Sequence, residues 1–411
     1  MAKDWTIGEG LTSGIGKVAA SLRVQEGERS LLRNVGWIFI LSRLFFFEVA
    51  SLAYIYLPQA WIEAPQGTLP PSGGLLYQIV SGLWVHWDGL WYLSIATFGY
   101  AGRPTATAFF PLYPLAMKLL GGGIVSGIIV SLLAFLVALL FLERLVTLEL
   151  GPRVAWYSLL ALAFFPTALF LNAVYSEALF LALALGALYY VRTGRYWIAG
   201  PLGALATLTT VYGALLVLPF LWVIWRTEGF RLRKLVHVLW MPLGLVSYMV
   251  FLFPRFGDPL IFQSAQSHWG RHFEPFFVTL YQAARSAYHD APLALSWHHL
   301  FAGGAPSTTP SNFFNFLFAI FAIVLLVLSA RRIPFYLWIY TVAALLIPFS
   351  YPAFGNPLMS MPRLILEAFP LFIGLGSVMA RVRWTRALYF IVAIPTGILL
   401  TALFATAHWV A

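Results

Sequence analysis

The sequence contains no cysteine, which excludes disulfides, thiolate catalysis and thiolate metal sites. Charge is also scarce: 10% of the 411 residues are Asp, Glu, Lys or Arg, whereas 61% are hydrophobic. Soluble domains carry ~25% charged residues, so a water-soluble fold is excluded. The alternating short strands of an outer-membrane barrel are missing as well. What recurs instead is apolar runs about 20 residues long, with a mean hydropathy of +0.83. The chain therefore reads as an all-α polytopic membrane protein. Acidic residues are outnumbered by basic ones, 15 to 25. In a membrane protein such a surplus marks cytoplasmic loops, so no nucleic-acid partner is expected. Residues 1–34 are too long and too charged for a cleavable signal and are expected to form a cytoplasmic tail.

Hydropathy predicts spans at 35–57, 124–144, 154–171, 175–192, 235–254, 312–330, 334–352, 363–380 and 386–408. The apolar stretch 196–225 is too long for one span and is interrupted by "TTVYG" at 209–213. Basic residues flank both of its ends, so a hairpin of two helices is expected, for a total of about eleven transmembrane helices. With the N-terminus inside, 18 Lys and Arg fall on cytoplasmic segments and six outside, with Arg43 within the first span. That bias sets the orientation. It leaves two long segments, 58–123 and 255–311, on the non-cytoplasmic side, with short turns at 172–175, 209–213 and 352–362. A single integral-membrane domain over 35–411 is expected, with those two long external loops forming the active site. ATP is absent there, so a sugar or lipid donor would have to arrive already activated and membrane-borne.

Several polar residues in these external segments call for an explanation. A helix starting at Asp88 places Asp88, Trp91, Tyr92 and Ile95 on one face, and Gly99 offers a stop. It reads as an interfacial helix. Asp88 is either its N-cap, with Trp84, Trp87 and Trp91 as an aromatic belt, or a general base helped by His86. In "AFFPLYP" (108–114) two prolines bar a regular helix, making the segment either a re-entrant elbow or a wall for a lipid or sugar through Phe109, Phe110 and Tyr113. Glu177, just inside the outer end of a span, suits a helix N-terminus. Glu367 lies deeper and calls for a basic partner. Asp258 before Pro259 reads as a helix start, while Gln263, Gln266 and Arg271 are placed to face a polar cavity. His268 and His272 have metal-ligand spacing, but no HExxH and no third ligand accompany them, so no metal or other cofactor is expected. Arg363, at the outer mouth of a span, either snorkels to headgroups or holds a phosphate by paired hydrogen bonds.

"HWDGLWYLSIATFGY", "AFFPLYP", "YSEALF", "FGDPLIFQSAQSHW" and "MPRLILEAFPLF" occur in that order over most of the chain. Together they resemble the PIG-V family of mannosyltransferases, which includes eukaryotic GPI mannosyltransferase 2 and bacterial relatives. The resemblance implies a GT-C type enzyme with its active site outside the cytosol, in a bacterial plasma membrane or the endoplasmic reticulum. It implies a polyprenyl- or dolichyl-phosphate sugar donor, usually of mannose, and a lipid or glycan acceptor. Asp88 takes the position of the base. Arg363, with His86 and Lys118, would meet the donor phosphate. Trp87, Tyr92, Phe110, Tyr113, Glu177, Asp258, Gln266 and His268 are the expected substrate contacts. One departure is Thr210, where relatives often carry an arginine. A single base without a covalent intermediate implies inversion at the anomeric carbon. The rival reading, a transporter or flippase, should show internal repeats and ionisable residues at mid-membrane, and no repeat is evident.

Overall fold

In this computed structural model the described residues are 8–60, 73–100, 102–229, 231–296, 300–301 and 310–410, with side chains from 31 onward. Among them every named element is helical and no strand occurs, as the composition requires. The first helix, Gly8–Tyr56, begins well inside the segment expected to be a tail.

Six helices are long and apolar enough to cross a bilayer, judged by length and composition: Leu31–Tyr56, Ile124–Leu150, Val211–Glu228, Leu232–Phe256, Ser311–Ser329 and Arg383–Ala405. Each of the other expected spans also holds a helix, but a shorter one. Pro152–Ala163, Tyr196–Thr207 and Pro370–Arg381 have 12 residues each, and Glu177–Arg192 and Phe335–Ser350 have 16. Twelve residues rise ~18 Å, well short of a hydrocarbon core of ~30 Å.

Two expected spans are broken, and the reason is visible in each sequence. The 154–171 span stops as a regular helix at Ala163, ahead of Pro166, and continues only as a 3₁₀ turn, Ala168–Leu171. The 363–380 span is a single turn, Met361–Leu364, followed by irregular backbone until Pro370 opens the next helix. Proline has no N–H to continue a ladder and fits best at a helix start.

The 196–225 stretch is a hairpin. Tyr196 Oη lies 3.3 Å from Thr227 Oγ1, so its two ends are adjacent. Its turn requires glycine at 213, because a Cβ there would sit 2.2 Å from the backbone nitrogen of Thr207. At the same end as those adjacent termini, the segments counted as basic also meet. Arg192 pairs with Glu149, and Tyr336 donates to the same carboxylate at 2.9 Å.

Irregular backbone inside an apolar bundle must find hydrogen-bond partners within the protein. At the break after Ala163 Arg43 supplies them. Its guanidinium donates to the carbonyls of Ala168 (2.9 Å) and Ala163 (3.1 Å) and to Asn172 Oδ1 (2.7 Å), and it lies over the Phe135 ring at 4.4 Å. Ser131 Oγ donates to the Ala173 carbonyl at 2.7 Å, and Thr167 Oγ1 to that of Pro362 at 2.7 Å. The second break is thereby tied to the first. Each buried acceptor left without its donor costs ~1–3 kcal/mol. Arg43→Leu should accordingly lower stability by several kcal/mol, read as a clear fall in the melting temperature of detergent-solubilised protein. An unchanged melting temperature would show that the break supports itself.

Candidate active site

Asp88 and Glu177 are each the first residue of a helix, Asp88–Phe98 and Glu177–Arg192. The local sequence suits this: Pro166 ends the helix ahead of Glu177, and a carboxylate favours the positive N-terminal end of the next. The segments leading into the two helices are stitched together. Val174 N donates to the Trp84 carbonyl at 2.9 Å, and Tyr175 Oη to that of His86 at 3.0 Å. Trp87, immediately before Asp88, has a positive φ of 54°, which a bulky residue holds only when its surroundings enforce it. Its ring meets Trp409 edge-on at 4.9 Å.

This stitching brings two carboxylates together, and Arg363 sits between them. Its Nη1 donates to Asp88 Oδ2 at 2.5 Å, and its Nε lies 3.2 Å from Glu177 Oε1. The guanidinium also stands 5.2 Å from the centre of the Tyr175 ring. Two like charges brought close in a protein interior repel by several kcal/mol, ~4 at 4 Å for an effective dielectric of 20. A cation touching both replaces one repulsion by two attractions. Arg363 is presented by the Met361–Leu364 turn, which Ser360 enters in the left-handed region (φ 70°) and which the bond from Thr167 to Pro362 anchors.

The cluster opens into a cavity of about 440 Å³. Its lining includes Tyr92, Phe109 and Phe110, then Gln263, Gln266 and Trp269, whose ring meets Phe109 edge-on at 5.6 Å. Thr210, Tyr212, Glu367 and Arg271 line it as well. Arg271 is fixed by donating to the carbonyls of Tyr351 and Met359, both at 3.1 Å, where 270–272 runs antiparallel to 352–354. The two long segments and the turns at 209–213 and 352–362 send residues to this cavity, whereas 172–175 reaches it only through the Tyr175 ring beside Arg363.

The expected site residues divide into groups. Asp88, Arg363, Tyr92, Phe110, Glu177 and Gln266 share the cavity. Tyr113 lies behind it, fully buried, its ring edge-on to Tyr92 at 5.0 Å and its hydroxyl 2.9 Å from Ser131 Oγ. Trp87 packs on Trp409 beneath the rim. His86 is buried with Nδ1 on the Phe404 carbonyl at 2.8 Å, and burial pushes its pKa down to about 4. A neutral imidazole lends no charge to a phosphate. Lys118 is exposed in the last turn of Leu112–Leu119, a helix that begins ahead of Pro114 because proline is tolerated in a first turn. Asp258 is exposed and accepts from Leu260 N at 2.8 Å, as a helix-start residue does. His268 turns towards Trp269 and Trp91, while His272 stacks on Phe354 at 4.2 Å, so the two rings serve different partners. Sequence reading did not single out Tyr212, Trp269, Ser360 or Trp409. An apolar-rich chain offers too many aromatics for a lining one to stand out.

The ion-pair geometry generates a prediction. Arg363→Gln should cost ~3–5 kcal/mol, because it leaves two buried carboxylates uncompensated. Combining it with Glu177→Gln should cost less than the sum of the single changes by ~1 kcal/mol or more. Chemical or thermal unfolding of the four proteins measures this, and strict additivity would show that the contact is not energetically coupled.

Residues 71–249 match the family model described as Mannosyltransferase (PIG-V). The chain is 35% identical over 187 residues to GPI alpha-1,6-mannosyltransferase 2 of Cricetulus griseus, covering 41% of this chain and 37% of that protein. It is 34% identical over 157 residues to the Homo sapiens protein of the same name, covering 34% and 31%. The match thus spans about a third of those relatives' length. Among solved structures, ArnT from Cupriavidus metallidurans bound to undecaprenyl phosphate aligns with a TM-score of 0.46 at 14% identity, over 90% of this chain and 76% of that one. The Archaeoglobus fulgidus oligosaccharyltransferase aligns with a TM-score of 0.40 at 14% identity, over 89% and 53%. These two are likenesses of outline. In sequence, the stretch that carries Asp88, Phe109, Phe110, Glu177 and Tyr212 is similar to the PIG-V mannosyltransferases.

Proposed function

We propose that the cavity is the active site of an inverting glycosyltransferase. It moves mannose or a similar sugar from a polyprenyl- or dolichyl-phosphate donor to a lipid or glycan acceptor on the non-cytoplasmic face of a membrane. The observation that carries this reading is the Asp88–Arg363–Glu177 cluster, assembled from three distant parts of the chain at the wall of a cavity lined by both aromatic and polar side chains. A purely structural ion pair would not need to face such a space.

The chemistry asks little of the protein. The acceptor hydroxyl attacks the anomeric carbon, the bond from that carbon to the phosphate oxygen breaks, and a phosphate monoester leaves. Asp88 takes the hydroxyl proton as attack proceeds. Its Oδ2 is held by Arg363, which orients the carboxylate and leaves Oδ1 to receive the proton. The leaving phosphate gains charge and needs cations in place beforehand. Arg363, named for this from the sequence, has Nη1 and Nε committed to carboxylates, while Nη2 has no such partner among the described residues. Arg271 faces the same cavity anchored on carbonyls. The phosphate is therefore assigned to Arg271 together with the free edge of Arg363. His86 and Lys118 are left out of this role by burial as a neutral ring and by exposure away from the cavity. The chain's kinship with mannosyltransferases supports mannose as the sugar moved.

The test is transfer of radiolabelled mannose from a polyprenyl-phosphate mannose to a lipid extract by purified protein. Asp88→Asn should lower the rate by ~10²-fold or more, the usual contribution of a positioned base. Arg271→Gln should raise the donor KM more than it lowers kcat. Near wild-type transfer by folded Asp88→Asn would remove Asp88 from the mechanism, and absence of transfer by the wild-type protein across several donors and acceptors would remove the transferase reading.

A further inference from the structure

Besides the ion-paired Arg363 Nε, four buried side-chain atoms of cavity-lining residues have no hydrogen-bond partner among the described residues. They are Glu177 Oε2, Tyr212 Oη, Glu367 Oε2 and Trp409 Nε1. Glu367 and Tyr212 are each only 4% exposed. Buried polar atoms are almost always paired in native proteins, so a cluster of orphans around one cavity marks where a ligand supplies the partners. None of these four atoms is used by the proton transfer or by the phosphate contacts derived above.

Their chemistry narrows the ligand. Two carboxylate oxygens accept, an indole N–H donates, and a phenol does either. An apolar group would leave all four unsatisfied. A phosphate diester carries no donor and would leave the Glu177 oxygen unpaired. A lone cation would suit the carboxylates but would leave the indole N–H unpaired. Hydroxyl groups, each able to donate and accept at once, satisfy the whole set, and several of them on one rigid ring describe a pyranose. Trp269, which also lines the cavity, offers an aromatic surface to such a ring.

Position narrows it further. Glu367 follows Arg363 by about one turn of the same segment and lies within electrostatic reach of both Arg363 and Glu177. Tyr212 in turn lies within reach of Glu367. In a lipid-phosphate sugar the ring is joined to phosphorus through a single oxygen. A donor whose phosphate meets Arg271 and Arg363 must therefore lay its ring beside them, where Glu367 Oε2 and Tyr212 Oη wait unpaired. We propose that Glu367 and Tyr212, with Trp409 as a further donor, form the subsite that grips the hydroxyls of the donor's sugar ring. This rests on the reading of the cavity as a glycosyl-transfer site.

Equilibrium binding to the purified full-length protein in detergent tests it with two probes, a polyprenyl-phosphate mannose and the same polyprenyl phosphate without sugar. The wild-type protein should bind the mannosylated lipid more tightly. Glu367→Gln should weaken that binding by about ten-fold or more, the scale of a lost hydrogen bond to a charged group, and Tyr212→Phe by a smaller factor, with the bare phosphate lipid affected less than about two-fold. Unchanged affinity for the mannosylated lipid in both variants, or equal loss for both probes, would overturn the proposal. So would an unchanged donor affinity with a raised acceptor KM, which would place the acceptor's ring in the subsite instead. A wild-type protein that binds neither probe would fail the transferase reading itself. Should Glu367→Gln not fold, Tyr212→Phe, which keeps the ring and removes only the orphaned hydroxyl, decides the matter.

Discussion

The structure depends on one guanidinium bridging two carboxylates. Asp88 and Glu177 start separate helices whose lead-in segments are hydrogen-bonded to one another, so the two acids have no freedom to move apart. Without Arg363 they would repel each other at the cavity wall. With it, the three charges form a compact group that is mostly shielded yet reaches the cavity wall. Arg363 itself is presented by the short turn Met361–Leu364.

That arrangement imposes broken helices, and broken helices impose their own requirements. Every interruption exposes backbone carbonyls and N–H groups inside an apolar bundle. The chain meets this with buried polar side chains that make no contact with the cavity. Arg43 serves the break after Ala163, Ser131 the segment before Glu177, Thr167 the turn that carries Arg363, and Tyr340 the Glu367 carbonyl at 3.0 Å. Arg43 shows how a cation survives in such a place without an acid beside it. Its charge is spread over three oxygen acceptors and an aromatic face. Among the described residues, five buried atoms without a hydrogen-bond partner line the cavity, Glu177 Oε2, Tyr212 Oη and Glu367 Oε2 among them, and others lie elsewhere, such as Glu143 Oε2 and Thr401 Oγ1.

Part of the grouping of the loops was legible in the sequence. Lys and Arg counts divided the connecting segments into two sets; in the structure Arg192 and Glu149, from two of the basic segments, pair, and residues of both long segments line the cavity. The hairpin at 209–213 was legible too, from length and from basic residues at both ends. The positions of the helix breaks were not, because hydropathy cannot distinguish a regular helix from buried irregular backbone of the same composition. The clearest case is 164–176, which is nearly as apolar as the helices on either side. At the site, Asp88, Glu177, Arg271 and Arg363 could be named as candidates, but their roles could not be divided. Asp258 and Glu177 looked alike as helix-start acids; one is exposed and bonds its own turn at Leu260 N, and the other is buried against Arg363.

By itself the sequence determined what depends on composition and order: an all-helical membrane chain, the grouping of its loops, and a short set of ionisable residues too costly to sit in apolar surroundings without a reason. The tertiary structure decided which of them meet. Asp88 and Arg363 are 275 residues apart, and the bond between them depends on where two helices are interrupted and how the loose ends are tied. Periodicity and hydropathy are properties of neighbours along the chain, whereas an ion pair is a property of distance in space, and only packing converts one into the other.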